Sequence, residues 1–161
     1  MRLYAIFKKD LTATFQKNGN KNLTLSGENQ STFEQTCTIW NDETSCTVAI
    51  PSITPAEGFT TLGRSTGANN HTILYNHQTE LELTEDLNLY AQTKKEAIDR
   101  KITFYPNGNA GFMYQGTTGT VATSYKVCTI PEVYNGASQA SSCNAEIIFP
   151  TILVNGEKTI I

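Results

Sequence analysis

Apolar and polar residues alternate along residues 12–16 and again along 102–104, as they do in strands buried on one face. Each run leads into the same kind of stop, Asn18-Gly19-Asn20 in the first case and Asn107-Gly108-Asn109 in the second. Asn and Gly supply the backbone conformations that tight turns need. Residues 87–91 alternate as well, with Leu87 and Leu89 on one face, and Leu81 and Leu83 do the same just before them. The pattern predicts a mainly β chain of short strands, with Phe15, Ile53, Phe59, Leu62, Leu87 and Leu89 in its core.

The landmarks recur in order. Leu3-Tyr4-Ala5 returns as Leu89-Tyr90-Ala91, and Thr14-Phe15 before Asn18-Gly19-Asn20 returns as Thr103-Phe104 before Asn107-Gly108-Asn109. Cys37-Thr38-Ile39 returns as Cys128-Thr129-Ile130, and Pro51-Ser52-Ile53 as Pro150-Thr151-Ile152. Ordered recurrence of this kind is the mark of a tandem repeat. On this reading residues 1–10 are the closing strand of a preceding copy, 11–93 a complete repeat, 94–100 a linker and 101–161 a second, truncated repeat. The second repeat lacks a counterpart of Gly63 to Tyr90, and Leu3 to Phe7 is a strand of the type that would fill the gap.

Cys37, Cys46, Cys128 and Cys143 set the compartment. Their spacings match neither zinc knuckles nor a C-x-x-C redox pair. Asn41-Asp42 lies midway between the first two, and Asn135-Gly136 midway between the second two. A two-residue hairpin at each midpoint brings each pair of cysteines face to face. Cys37 and Cys46 then fall opposite each other at a non-hydrogen-bonded position, close enough to bridge. Cys128 and Cys143 fall at a hydrogen-bonded position and Pro131 interrupts their ladder, so a bulge or looser base is expected there. Disulfides Cys37–Cys46 and Cys128–Cys143 place the chain in an oxidising, extracellular setting.

Composition narrows the function classes. Charged residues make up 17%, against about 25% in ordinary soluble domains. Polarity comes instead from 24 Thr and 14 Asn, residues suited to strands and turns respectively. The net charge of −3 and the absence of a basic run argue against nucleic acid. No stretch approaches the roughly 18 apolar residues of a membrane span. The first residues lack the apolar segment and cleavage site of a signal peptide.

An opening strand ending at Asn18-Gly19, then Gly58-Phe59-Thr60-Thr61-Leu62-Gly63, then Leu87-Asn88-Leu89-Tyr90-Ala91, resembles the Listeria–Bacteroides, or internalin-type B, repeat of bacterial surface proteins. Arg64 stands where that family carries Trp, and Asn88 where it carries Thr. The resemblance implies a β-grasp-like unit, a fold whose small members include α+β forms, on the bacterial surface. It implies a stalk or spacer in an adhesin-like array, with adjacent repeats as partners and no catalytic residues or cofactor.

Candidate chemistry is sparse. His71 and His77 lack convergent ligands, and Glu80, Glu82, Glu85 and Asp86 lack the spacing of a calcium loop. Neither set is expected to hold a metal. Gly116-Thr117-Thr118-Gly119-Thr120 reads as a flexible loop rather than a phosphate cradle, and Lys17 is not expected to be an isopeptide donor, since Tyr105 stands at its place in the second copy. Trp40 and Tyr134 each directly precede a turn dipeptide. They are the expected contacts to a glycan or protein if the chain is a binding module, and packing residues if it is a spacer.

Overall fold

The computed structural model describes residues 4–76, 78–105, 112–113, 124–145, 151–154 and 157–159. The Asn107-Gly108-Asn109 turn, the loop at 116–120, Pro150 and His77 lie outside these residues. The described residues form strands and turns with no helix, so the helical component that an α+β unit would require is absent among them. Chain contacts divide the protein into two units, Met1–Glu96 with Glu132–Ser138, and Ala97–Pro131 with Gln139–Ile161.

The first unit is built around β1 (Lys8–Gln16), whose side chains alternate between core and surface. Leu11, Ala13 and Phe15 are fully buried. On one edge β1 pairs antiparallel with β4 (Thr32–Trp40), from Lys8↔Trp40 to Gln16↔Thr32. On the other it pairs parallel with β9 (Leu87–Lys95), from Ala13↔Leu87 to Gln16↔Tyr90. The far edge of β9 takes β7 (Thr60–Ser65) antiparallel, with a bulge between Thr61 and Gly63.

Two small sheets complete the unit. One is β2 (Asn22–Leu25) flanked by β3 (Glu28–Gln30) and β6 (Ser52–Thr54). The other pairs β5 (Cys46–Ala49) with β8 (Glu80–Leu83). All three sheets contribute to one core, which joins Leu11, Ala13, Phe15, Phe33, Leu89 and Ala91 to Leu23, Val48, Leu81 and Leu83. Of the six expected core residues, Phe15 and Leu89 are buried, whereas Ile53, Phe59, Leu62 and Leu87 are only partly so.

In the second unit β10 (Ile98–Phe104) and β12 (Ser124–Ile130) pair antiparallel, from Ile98↔Ile130 to Phe104↔Ser124. A second sheet orders β11 (Phe112–Met113), β14 (Thr151–Val154) and β15 (Glu157–Thr159). Between the two stretches of this unit, β13 (Val133–Tyr134) belongs to the first unit, where it pairs with Lys95 and Lys94 of β9.

Cys37 is bonded to Cys46 and Cys128 to Cys143, and none of the four is free. The hairpin expected around Cys37–Cys46 is not a paired ladder. The chain turns at Asn41 and the Glu43 amide donates to the Trp40 carbonyl at 3.0 Å. Then the strands part, β4 to β1 and β5 to β8. At the turn the Glu43 carboxylate accepts the Trp40 N–H at 2.8 Å, so a side chain takes the donor that a ladder would have used. The bond therefore joins the main sheet to a small sheet. The hairpin expected about Asn135-Gly136 is not a paired ladder either: β12 pairs with β10 and β13 with β9, and Cys143 lies outside any strand.

Candidate functional site

Among the described residues no set of three or more His, Cys, Asp or Glu could hold a metal. The acidic stretch disperses: Asp86 accepts the Thr12 N–H at 2.8 Å, and Glu82 accepts from the Ser45 hydroxyl. Lys17 donates to the Lys21 carbonyl at 3.3 Å. The most elaborate polar arrangement is the seat of residues 132–138 on the edge of β9.

That edge has a gap. β1 leaves β9 after Tyr90 and β13 takes it up again at Lys94, so Ala91 to Thr93 have no strand beside them there. Two asparagines fill the gap. The Asn18 amide donates to the carbonyls of Ala91 at 3.0 Å and Ala68 at 2.8 Å. The Asn135 N–H donates to the Thr93 carbonyl at 3.0 Å, and the Thr93 N–H donates to Asn135 Oδ1 at 2.9 Å. One residue thus mimics a strand by using its backbone and its side chain together.

Both asparagines begin two-residue turns with positive φ throughout, Asn18-Gly19 at 48° and 81°, Asn135-Gly136 at 52° and 74°. These are type I′ turns. They pack back to back: a Cβ on Gly19 would lie 2.0 Å from the Asn135 carbonyl oxygen, and one on Gly136 2.3 Å from that of Gly19. Only glycine fits either place.

Beneath the turns lies a buried polar network. Gln92, Thr93 and Ser65 are fully buried and Asn20 nearly so. Gln92 donates to Ser65 Oγ at 2.8 Å and to the Gly67 carbonyl at 3.2 Å, while its Oε1 accepts from Asn135 Nδ2 at 2.8 Å. Thr93 Oγ1 donates to Asn20 Oδ1 at 2.6 Å. Satisfied networks of this kind fix one arrangement, because an unpaired buried polar group is costly. On top, His71 stacks on Tyr134, with ring centroids 3.8 Å apart and planes 15° from parallel, and His71 Nδ1 sits 3.1 Å from Gln92 Oε1. The Tyr134 hydroxyl donates to Glu132 at 2.6 Å, and Lys94 lies 3.5 Å from Glu132 and 2.8 Å from Glu96. The Tyr134 bond, and then the Lys94 charge, hold the Glu132 carboxyl below its ordinary value, and Glu96 foremost raises Lys94.

A second clasp has the same bonds. The Asn41 N–H donates to the Phe7 carbonyl at 2.9 Å, and the Phe7 N–H to Asn41 Oδ1 at 3.2 Å. Lys8↔Trp40 and Lys9↔Ile39 stand as Lys94↔Tyr134 and Lys95↔Val133 do. Further along, the Thr38 hydroxyl donates to Asp10 and the Thr129 hydroxyl to Asp99, each at 2.6 Å. Of the two turn aromatics, Tyr134 is engaged within its unit, whereas Trp40 is 48% exposed.

Arg64 occupies the core side of β7 at 6% exposure, over the Phe15 ring, and donates to the Pro51 carbonyl. Burial pushes its guanidinium down to about 10, still cationic at neutral pH, and its Nε has no partner. The Asn-Gly turns were legible in the sequence, but the use of their side chains was not. Gln92, Ser65 and Asn20 carried no signal, since buried amides and hydroxyls look like surface residues in a Thr- and Asn-rich chain. Compared with protein-family models, with curated proteins and with solved structures, the chain matches none.

Proposed function

We propose that the chain is a non-catalytic part of an extracellular, repeat-built bacterial surface protein, and that it acts as a stalk or spacer in an adhesin-like array. The observation that carries this reading is the clasp formed twice, Asn41 on Phe7 and Asn135 on Thr93. Two stretches that are similar in sequence use the same residue, with the same pair of bonds, on the backbone just ahead of β1 in one case and within β9 in the other. The recurrent Asp–Thr pairs support it too. So does the sheet order β4-β1-β9-β7, with its parallel pair at the centre, which suits the β-grasp-like unit that the resemblance implies.

The chain passes between its two units three times, at Glu96–Ala97, Pro131–Glu132 and Ser138–Gln139. The two disulfides, with no free cysteine, fit an oxidising compartment.

The second reading, a glycan- or protein-binding module, draws on exposed Trp40. A screen of the chain and of Trp40→Ala against glycan arrays and host-matrix proteins separates the two. A spacer gives no Trp40-dependent hit. A reproducible hit that Trp40→Ala removes replaces the spacer with the binding module.

A further inference from the structure

The residues beside the Asn41 clasp are exposed where their counterparts are covered. Tyr4, Ile6 and Phe7 are 79%, 72% and 70% exposed, with Trp40 close by at 48%. Matching Leu3-Tyr4-Ala5 to Leu89-Tyr90-Ala91 puts Ile6 at the place of Gln92 and Phe7 at that of Thr93, both of which are fully buried. The clasp makes the match physical, because Asn41 grips Phe7 as Asn135 grips Thr93. Contiguous exposed apolar side chains of this size mark an interaction surface.

Resting on the repeat reading above, we infer that the face formed by Tyr4, Ile6, Phe7 and Trp40 is a docking surface for another unit of the first unit's kind, carried in the same polypeptide. Residues 4–7 serve as that unit's closing strand, and Trp40 seats on it as Tyr134 seats on His71. The occupant follows from what surrounds Thr93. There β9 has β7 on one edge and the Asn135 clasp on the other, and the turn aromatic stacks on a ring from the loop after β7. The first unit of a separate copy does not fit, because β9 already fills that slot there; docking into the second unit of another copy would instead make the unextended chain self-associate, and that result overturns the inference. Ile6 also fixes the lining. Where Gln92 meets Ser65 and the Gly67 carbonyl, the occupant presents apolar groups.

Trp40 is the only tryptophan, so it reports its own docking. The test places residues 8–93, with Trp40→Phe in the added copy, directly ahead of Lys8 of the full chain. Thr93 of the added copy then stands in place of Phe7, and the original Trp40 faces the added His71. The expected result is a shift of Trp40 emission to shorter wavelength and a severalfold fall in acrylamide quenching relative to the unextended chain. Asn41→Ala in the original copy, or His71→Ala in the added one, restores the quenching. Trp40 as open to acrylamide as in the unextended chain, whether or not the added residues fold, overturns the docking. That failure is distinct from failure of the spacer reading, which a Trp40-dependent ligand in the screen would expose.

Discussion

Asn18, Asn41 and Asn135 all hold positive φ, near 50°, a region that Asn tolerates better than other non-glycine residues. In that conformation the side-chain amide lies beside the residue's own backbone, and each of the three uses it on a neighbouring main chain. Asn135→Ala removes the acceptor for the buried Thr93 N–H and is expected to cost about 1–3 kcal/mol. Denaturant titration measures this, and faster amide exchange at Thr93 locates it. The charges around Tyr134 add a pH dependence. Glu132, held below its ordinary 4.5, favours the seated segment above that pH and loses its contribution as pH falls through its lowered value. Lys94, raised above 10.5, keeps its contribution below that pH and loses it as pH rises through the raised value. Protection of the Asn135 amide, corrected for intrinsic exchange, should be greatest between these limits, and Glu132→Gln should flatten the acid limb. Asn-Gly predicts the turn because only backbone torsions are at issue. It cannot name the strand on which the amide lands, which is set by chain far away in sequence. Arg64 shows the same limit. A charged residue in a strand motif reads as surface, yet the Arg64 guanidinium lies buried over the Phe15 ring.

Among the elements, the alternation at residues 12–16 foretold β1 because one face of that strand meets the core and the other does not. The β2–β3 hairpin is not legible in the hydrophobic pattern, although Ser26-Gly27 is a turn dipeptide with positive φ at both residues, at 52° and 87°. Its flanking strands are too short to show a period. The cysteine pairing was legible from symmetry about the turns, but the ladder between Cys37 and Cys46 was not formed. Strand partners are chosen by burial: Val48, Leu81 and Leu83 share a core face, which carries β5 to β8. The bond thus fastens the β5–β8 pair, held by only four residue pairs, to the edge of the main sheet. It closes a loop with a sequence separation of 9, for which chain entropy gives roughly 2–3 kcal/mol. Cys37→Ala with Cys46→Ala should lower stability by about that amount. Amides of residues 46–49 and 80–83 should exchange first, well before those of β1.

On the scale of the whole molecule, the first unit begins and ends on adjacent strands that run the same way. β1 enters at Lys8 and β9 leaves at Lys95, and the two are hydrogen-bonded in parallel from Ala13↔Leu87 to Gln16↔Tyr90. Under the proposed stalk role, tension would enter at one end of this pair and leave at the opposite end. The load therefore lies along the strands, and the bonds between them must shear together rather than open one at a time as in a pulled hairpin. The unit is expected to be a mechanical element, yielding abruptly at high force with a rate set by its unfolding barrier rather than by its equilibrium stability. Stretched between its ends in a force spectrometer, each unit should release on the order of 200 Å in one step, from the chain between Gln16 and Leu87 at ~3.5 Å per residue. The Cys37–Cys46 loop stays locked out of that length, so a reductant should lengthen the step by roughly 30 Å. Steps that are gradual and low in force would show that tension takes another path through the sheet.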